Sequence, residues 1–133
     1  MRFPKRESYL CVMALAFPAD VAPQFQSWLV FLENAGGWHQ WMRQLNKDLG
    51  PLIGSEQTLE TASRLEDVYA SVLTLMQDAM VNAPQALTSC LYQTDVPENW
   101  LAHQPLTAEW LAKAVMWRTL QKVIFRYQFT HPV

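Results

Sequence analysis

Glycine is scarce in this 133-residue chain, which holds only Gly36, Gly37, Gly50 and Gly54. Three of them, Gly36-Gly37 and Gly50, have the look of helix stops, and no phosphate-cradling loop can be assembled from what is left. Cysteine is scarcer still. Cys11 and Cys90 lie far apart, each inside an apolar run, with no Cys or His nearby at zinc-ligand spacing. They are expected to be buried, unreactive thiols of a reducing compartment rather than a disulfide.

Charge is also sparse. Charged residues make up 17% of the chain and the formal net charge is −2, so there is no general attraction to nucleic acid or anionic lipid. Any such binding has to come from a local patch. The apolar run Tyr9–Phe17 is far shorter than the roughly 20 residues of a membrane-crossing helix, so no membrane span is expected. It follows a basic start, and Ala14-Leu15-Ala16 resembles a small-residue cleavage site, which keeps a short signal peptide as the minority reading. Glu7 interrupts that basic region. A buried first helix in a cytoplasmic protein is the preferred reading.

Catalytic signatures are missing as well. His39, His103 and His131 are scattered, and no two stand four residues apart, where a helix would aim both imidazoles at one metal. No serine sits in a Gly-x-Ser-x-Gly setting. The carboxylates Glu56, Glu60, Asp67 and Asp78 share a helix stripe but lack a Glu-x-x-His partner, so they read as a solvated face. No catalytic residue, metal ligand or cofactor is therefore assigned.

What the chain has in quantity is apolar side chains, half of all residues, spaced for helices. Composition of that kind rules out disorder. Phe25, Trp28, Leu29 and Leu32 recur at helical spacing up to Gly36-Gly37. Trp38, Trp41, Met42, Leu45 and Leu49 follow, with His39, Gln40, Arg43, Gln44 and Lys47 as the wet face. The longest periodic element runs from Ser55 to about Met80, with Leu65, Val68, Tyr69, Val72, Leu75, Met76 and Ala79 on one side and Glu60 spaced to pair with Arg64. Pro84 opens a helix through Tyr92. Asp95-Val96-Pro97-Glu98 reads as the start of a single turn over Asn99–Ala102.

Thr107–Phe129 reads as a closing helix with Thr107 as N-cap, Leu106 and Leu111 at staple positions, and Glu109 in the first turn. Trp110, Trp117, Leu120, Val123, Ile124 and Tyr127 form its main apolar face. Leu111, Val115, Phe125 and Phe129 fall outside that face. Either this helix is central and buried nearly all round, or its second face meets another subunit. The expected fold is all-α, a single domain over residues 1–133, built as a compact bundle of four to five helices joined by short Pro- and Gly-marked turns.

Two features point to binding. Arg118, Lys122 and Arg126 recur every fourth residue on the closing helix, with Phe125 interleaved. Cations placed there can simply complement the helix dipole. They can also dock an acidic protein or, less favoured at this net charge, nucleic-acid phosphates. The second feature is a content of six tryptophans. Most belong in a core by size, but Trp38 and Trp41 flank His39 after the Gly-Gly pair and are candidate apolar anchors. The expectation is a small non-enzymatic interaction protein, acting as an adaptor, accessory subunit, chaperone-like or inhibitor-type partner. Its partner-binding residues are Arg118, Lys122, Arg126, Phe125, Trp38 and Trp41. A homodimer, a nucleic-acid-associated regulator and a small-ligand-binding bundle are the alternatives.

Overall fold

The computed structural model describes residues 31–33, 35–53, 64–102 and 105–130, and among them there is no strand. The fold is all-α. Five helices follow in order, α1 (Ala35–Asp48), α2 (Leu65–Asn82), α3 (Pro84–Thr94), α4 (Glu98–Leu101) and α5 (Ala108–Thr130). Residues 31–33 add a further helical stretch, so the count slightly exceeds the expected four to five. The expected Ser8–Phe17 helix, the Phe25–Leu29 periodicity, Glu56, Glu60, Cys11, His103 and His131 lie outside the described residues.

The glycine pair opens a helix. Gly36 and Gly37 fall within the first turn of α1. A Cβ on Gly37 would come within 2.0 Å of the Phe31 carbonyl oxygen, so glycine is there to let two backbone segments touch. Trp38, Trp41, Met42, Leu45 and Leu49 are all buried, and their spacing of three, one, three and four gives α1 its inner stripe. The helix ends in a turn closed by Leu49 N–H on Leu45 O and Gly50 N–H on Lys47 O, and Pro51 follows.

α2 is shorter than its periodicity suggests. Arg64 is extended (φ −130°, ψ 147°), so no helix passes through it, and α2 begins at Leu65. Arg64 pairs with Asp67 across three residues. Leu65, Val68, Val72, Met76 and Ala79 supply the buried face at steps of three and four. Pro84 ends α2, because it lacks an N–H and disfavours helical geometry in Ala83 before it. Ala83 then serves both helices: its N–H donates to Ala79 O and its carbonyl accepts from Leu87 N–H.

Asp95 closes α3 rather than opening the next helix. It adopts the left-handed conformation (φ 60°, ψ 49°) and its N–H donates to Leu91 O and Tyr92 O. α4 is one turn, and it delivers Trp100 to the core. The Trp100 carbonyl accepts from Trp110 Nε1 at 2.7 Å, which ties α4 to the start of α5.

α5 starts as its sequence indicates, with Thr107 Oγ1 accepting from Trp110 N–H at 3.1 Å. It packs against α1, α2 and α3. Leu111, Ala112, Ala114, Val115, Met116, Trp117, Thr119 and Leu120 are all buried, which covers every side of the helix over those turns. The helix is central over those turns, while Phe125 beyond them is exposed. Tyr127, expected on the core face, is exposed, although its ring meets Phe31 edge-on with centroids 5.4 Å apart. No helix among the described residues is long and apolar enough to cross a membrane.

Candidate functional site

Two elements build the candidate site, the last turns of α5 and the second half of α1. Arg118, Lys122 and Arg126 rise on one face of α5 at four-residue steps, so successive side chains are neighbours. With Phe125 and Gln44 they line an open groove of about 360 Å³. Among the described residues no carboxylate lines it. The lining is three cations, one amide and one phenyl ring, which is 43% exposed.

The cations are held from below. Asp48 is buried, and its two oxygens are used separately: Oδ1 accepts from Gln44 Nε2 at 3.0 Å and Oδ2 from Lys122 Nζ at 2.7 Å. Lys122 Nζ also donates to Gln93 O at 3.2 Å. Gln44 passes the network on, since its Oε1 accepts from the Arg126 guanidinium. At the other end, Arg118 Nε donates to Asp95 O at 2.9 Å, while its terminal nitrogens reach Gln121 Oε1 and Asp95 Oδ2. The left-handed turn at Asp95 aims both of its acceptors at α5. Two polar groups result: Arg126, Gln44, Asp48, Lys122 and Gln93 tie α5 to α1 and α3, and Arg118, Asp95 and Gln121 tie α5 to the turn that ends α3.

Charge burial explains this arrangement. A carboxylate removed from water without a cation is strongly unfavourable, so Asp48 requires Lys122. The Lys122 side chain keeps 21% of its surface, enough for its ammonium to meet both Asp48 and the groove. Asp95 is different. Its side chain is 79% exposed, and the ion pair with Arg118 contributes little energy but fixes an orientation.

Trp38 and Trp41 are elsewhere. Both indoles are fully buried, stacked edge-to-face at 5.5 Å, and Trp41 Nε1 donates to Thr119 Oγ1 at 2.9 Å. They are part of the core beneath α5 and do not line the groove. The structure thus brings four of the six sequence-selected residues together and keeps these two inside. His39 is exposed on the outer face of α1. Of the carboxylate stripe, Asp67 binds Arg64 and Asp78 accepts from Asn82, and both are exposed.

Gln44, placed on the wet face by its polarity, is buried, and so is Asp48, which polarity does not mark. A signal for both does exist. They stand three and seven residues after Trp41, on the continuation of the inner stripe. Asp95, Gln93 and Gln121 carry no such signal, because their role depends on where α3 stops.

Cys90 is buried next to this network, and burial pushes its thiol up to about 11, with the Asp48 charge adding to the effect. It is a free thiol, and that shift makes it a poor nucleophile. Among the described residues no group of three His, Cys, Asp or Glu is placed to share a metal ion. No family model matches the chain, and no curated protein or solved structure shows significant similarity to it.

Proposed function

We propose that this chain is a single helical domain and a non-enzymatic interaction protein, which docks another protein on the α5 face carrying Arg118, Lys122, Phe125 and Arg126. The observation that carries this reading is the groove lining, in which three cations and an exposed phenyl ring come together and, among the described residues, no carboxylate intervenes. Aromatic and arginine side chains are enriched where binding energy concentrates. Cations at such a site set orientation and association rate more than affinity. The core beneath supports the reading too, since α5 is anchored on all sides over the turns that precede the groove and the docking face is preformed.

Site-specific photocrosslinking tests it. A benzoylphenylalanine at position 125 is expected to give a discrete covalent adduct with one protein in a lysate of the source organism. The same group at Thr74, exposed on α2, is the control and should give none. Equal or absent adducts at both positions would reject the docking face. A covalent dimer as the sole product would replace the foreign partner with a second copy of this chain.

A further inference from the structure

We infer that the groove is a carboxylate-binding site, built to take an aspartate or glutamate side chain of an acidic peptide segment whose neighbouring apolar residue lies on Phe125. This rests on the docking role proposed above and names the chemistry of what docks.

The first observation is unused donor capacity. A lysine ammonium has three N–H donors and an arginine guanidinium five. Lys122 spends two of its three, on Asp48 and Gln93. Arg118 spends three of its five, two on Asp95 and one on Gln121. Each side chain retains N–H groups, and both line the groove.

The second observation is that these cations are already fixed. Lys122 is held at two points and Arg118 at three by partners on α3, on α1, on the Asp95 turn and on α5 itself. Ordering a long charged side chain on binding costs conformational entropy, and here most of that ordering precedes the ligand. A carboxylate arriving between residues 118 and 122 meets donors in place.

The third observation sets the ligand's charge. Asp48 and Asp95 pair with Lys122 and Arg118 and offset part of their charge. The residual field suits a singly charged carboxylate better than a doubly charged phosphate. Phe125 stands between Lys122 and Arg126 in sequence and is exposed, which gives an apolar neighbour of that carboxylate somewhere to pack.

A nuclear magnetic resonance titration of the full chain tests this with three capped hexapeptides. The first alternates leucine with glutamate, the second replaces glutamate by glutamine, and the third replaces it by phosphoserine. The glutamate peptide is expected to shift the Arg118 Nε, Lys122 and Phe125 resonances, and the glutamine peptide to bind at least about tenfold more weakly, the difference between a charge-assisted and a neutral hydrogen bond. Phe125→Ala should weaken the glutamate peptide severalfold without disturbing the fold, since the ring is exposed.

Arg118→Gln should weaken it as well, and more at low salt than at high salt. Equal binding of the glutamate and glutamine peptides would overturn the assignment. So would tighter binding of the phosphoserine peptide, or shifts that map away from α5. A crosslink at position 125 with no peptide selectivity would leave the docking role standing and remove only the carboxylate. Peptide selectivity without any crosslink would do the reverse.

Discussion

Replacing Lys122 by methionine is expected to be far more damaging than replacing the residue it serves. The substitution removes an ammonium 2.7 Å from Asp48, whose side chain is only 2% exposed. Asp48 would keep a single described hydrogen bond, from Gln44. Deleting one partner of a buried pair costs about 3–5 kcal/mol. Water reaches the Lys122 end of this pair, so the lower bound, about 3 kcal/mol, is the expected loss. Asp48→Asn should cost much less, about 1 kcal/mol, because Lys122 can turn its ammonium into the groove while a stranded Asp48 cannot reach solvent. The double variant Asp48→Asn/Lys122→Met should lie within about 1 kcal/mol of the parent, giving a large coupling energy in the cycle. Urea unfolding followed by far-ultraviolet circular dichroism measures all three. With a slope of about 1.5 kcal/mol per molar, Lys122→Met should lower the midpoint by about 2 M. Were Lys122→Met to cost less than about 1 kcal/mol, or the double variant as much as both singles combined, the view of Asp48 as a buried charge dependent on Lys122 would be wrong.

Gly37→Ala should destabilise the protein by at least the ~1–3 kcal/mol of an overpacked site. Its Cβ would face backbone at 2.0 Å, which no rotamer change relieves, and thermal denaturation would reveal an unexpected gain from the better helix former. Thr107→Ala should cost about 1 kcal/mol by removing the acceptor for Trp110 N–H, measurable by the same urea titration, with Thr107→Ser near neutral. Cys90 titrates from an ordinary value of 9.0 to about 11 in the fold, so between those values the native state keeps a proton that the unfolded chain releases. Stability linked to this thiol is therefore complete below pH 9 and is lost as pH rises towards 11, by about 2–3 kcal/mol. In a Cys11→Ser background, Cys90→Ala should flatten that alkaline decline, and an unchanged pH profile would refute the assignment.

Side-chain periodicity made much of this fold legible. The inner stripe of α1, the buried face of α2 and the Thr107 cap all follow from local spacing and local chemistry, which a sequence displays directly. Other features needed partners that sequence does not reveal. Gly36-Gly37 looks like a stop because the reason for glycine at position 37, the backbone at Phe31, is a contact between segments. Gln44 looks solvated, and Asp48 goes unmarked, because polarity alone cannot announce a lysine 74 residues away from Asp48. Arg118, Lys122 and Phe125 are identifiable as a stripe, but the contacts that hold Arg118 and Lys122 depend on where α3 ends and how Asp95 turns. Trp38 and Trp41 have the composition of anchors, and only packing places them beneath α5.

The central position of α5 also bears on how the molecule is made. α1, α2 and α3 leave the ribosome before it, and the surfaces that they close upon belong to residues 111–124. A nascent chain that has delivered only those earlier helices carries apolar faces that α5 has yet to cover, which holdase chaperones can bind. A fragment ending at Leu106 should accordingly show little cooperative unfolding by circular dichroism, and a sharp thermal transition in that fragment would place the folding nucleus among the earlier helices instead.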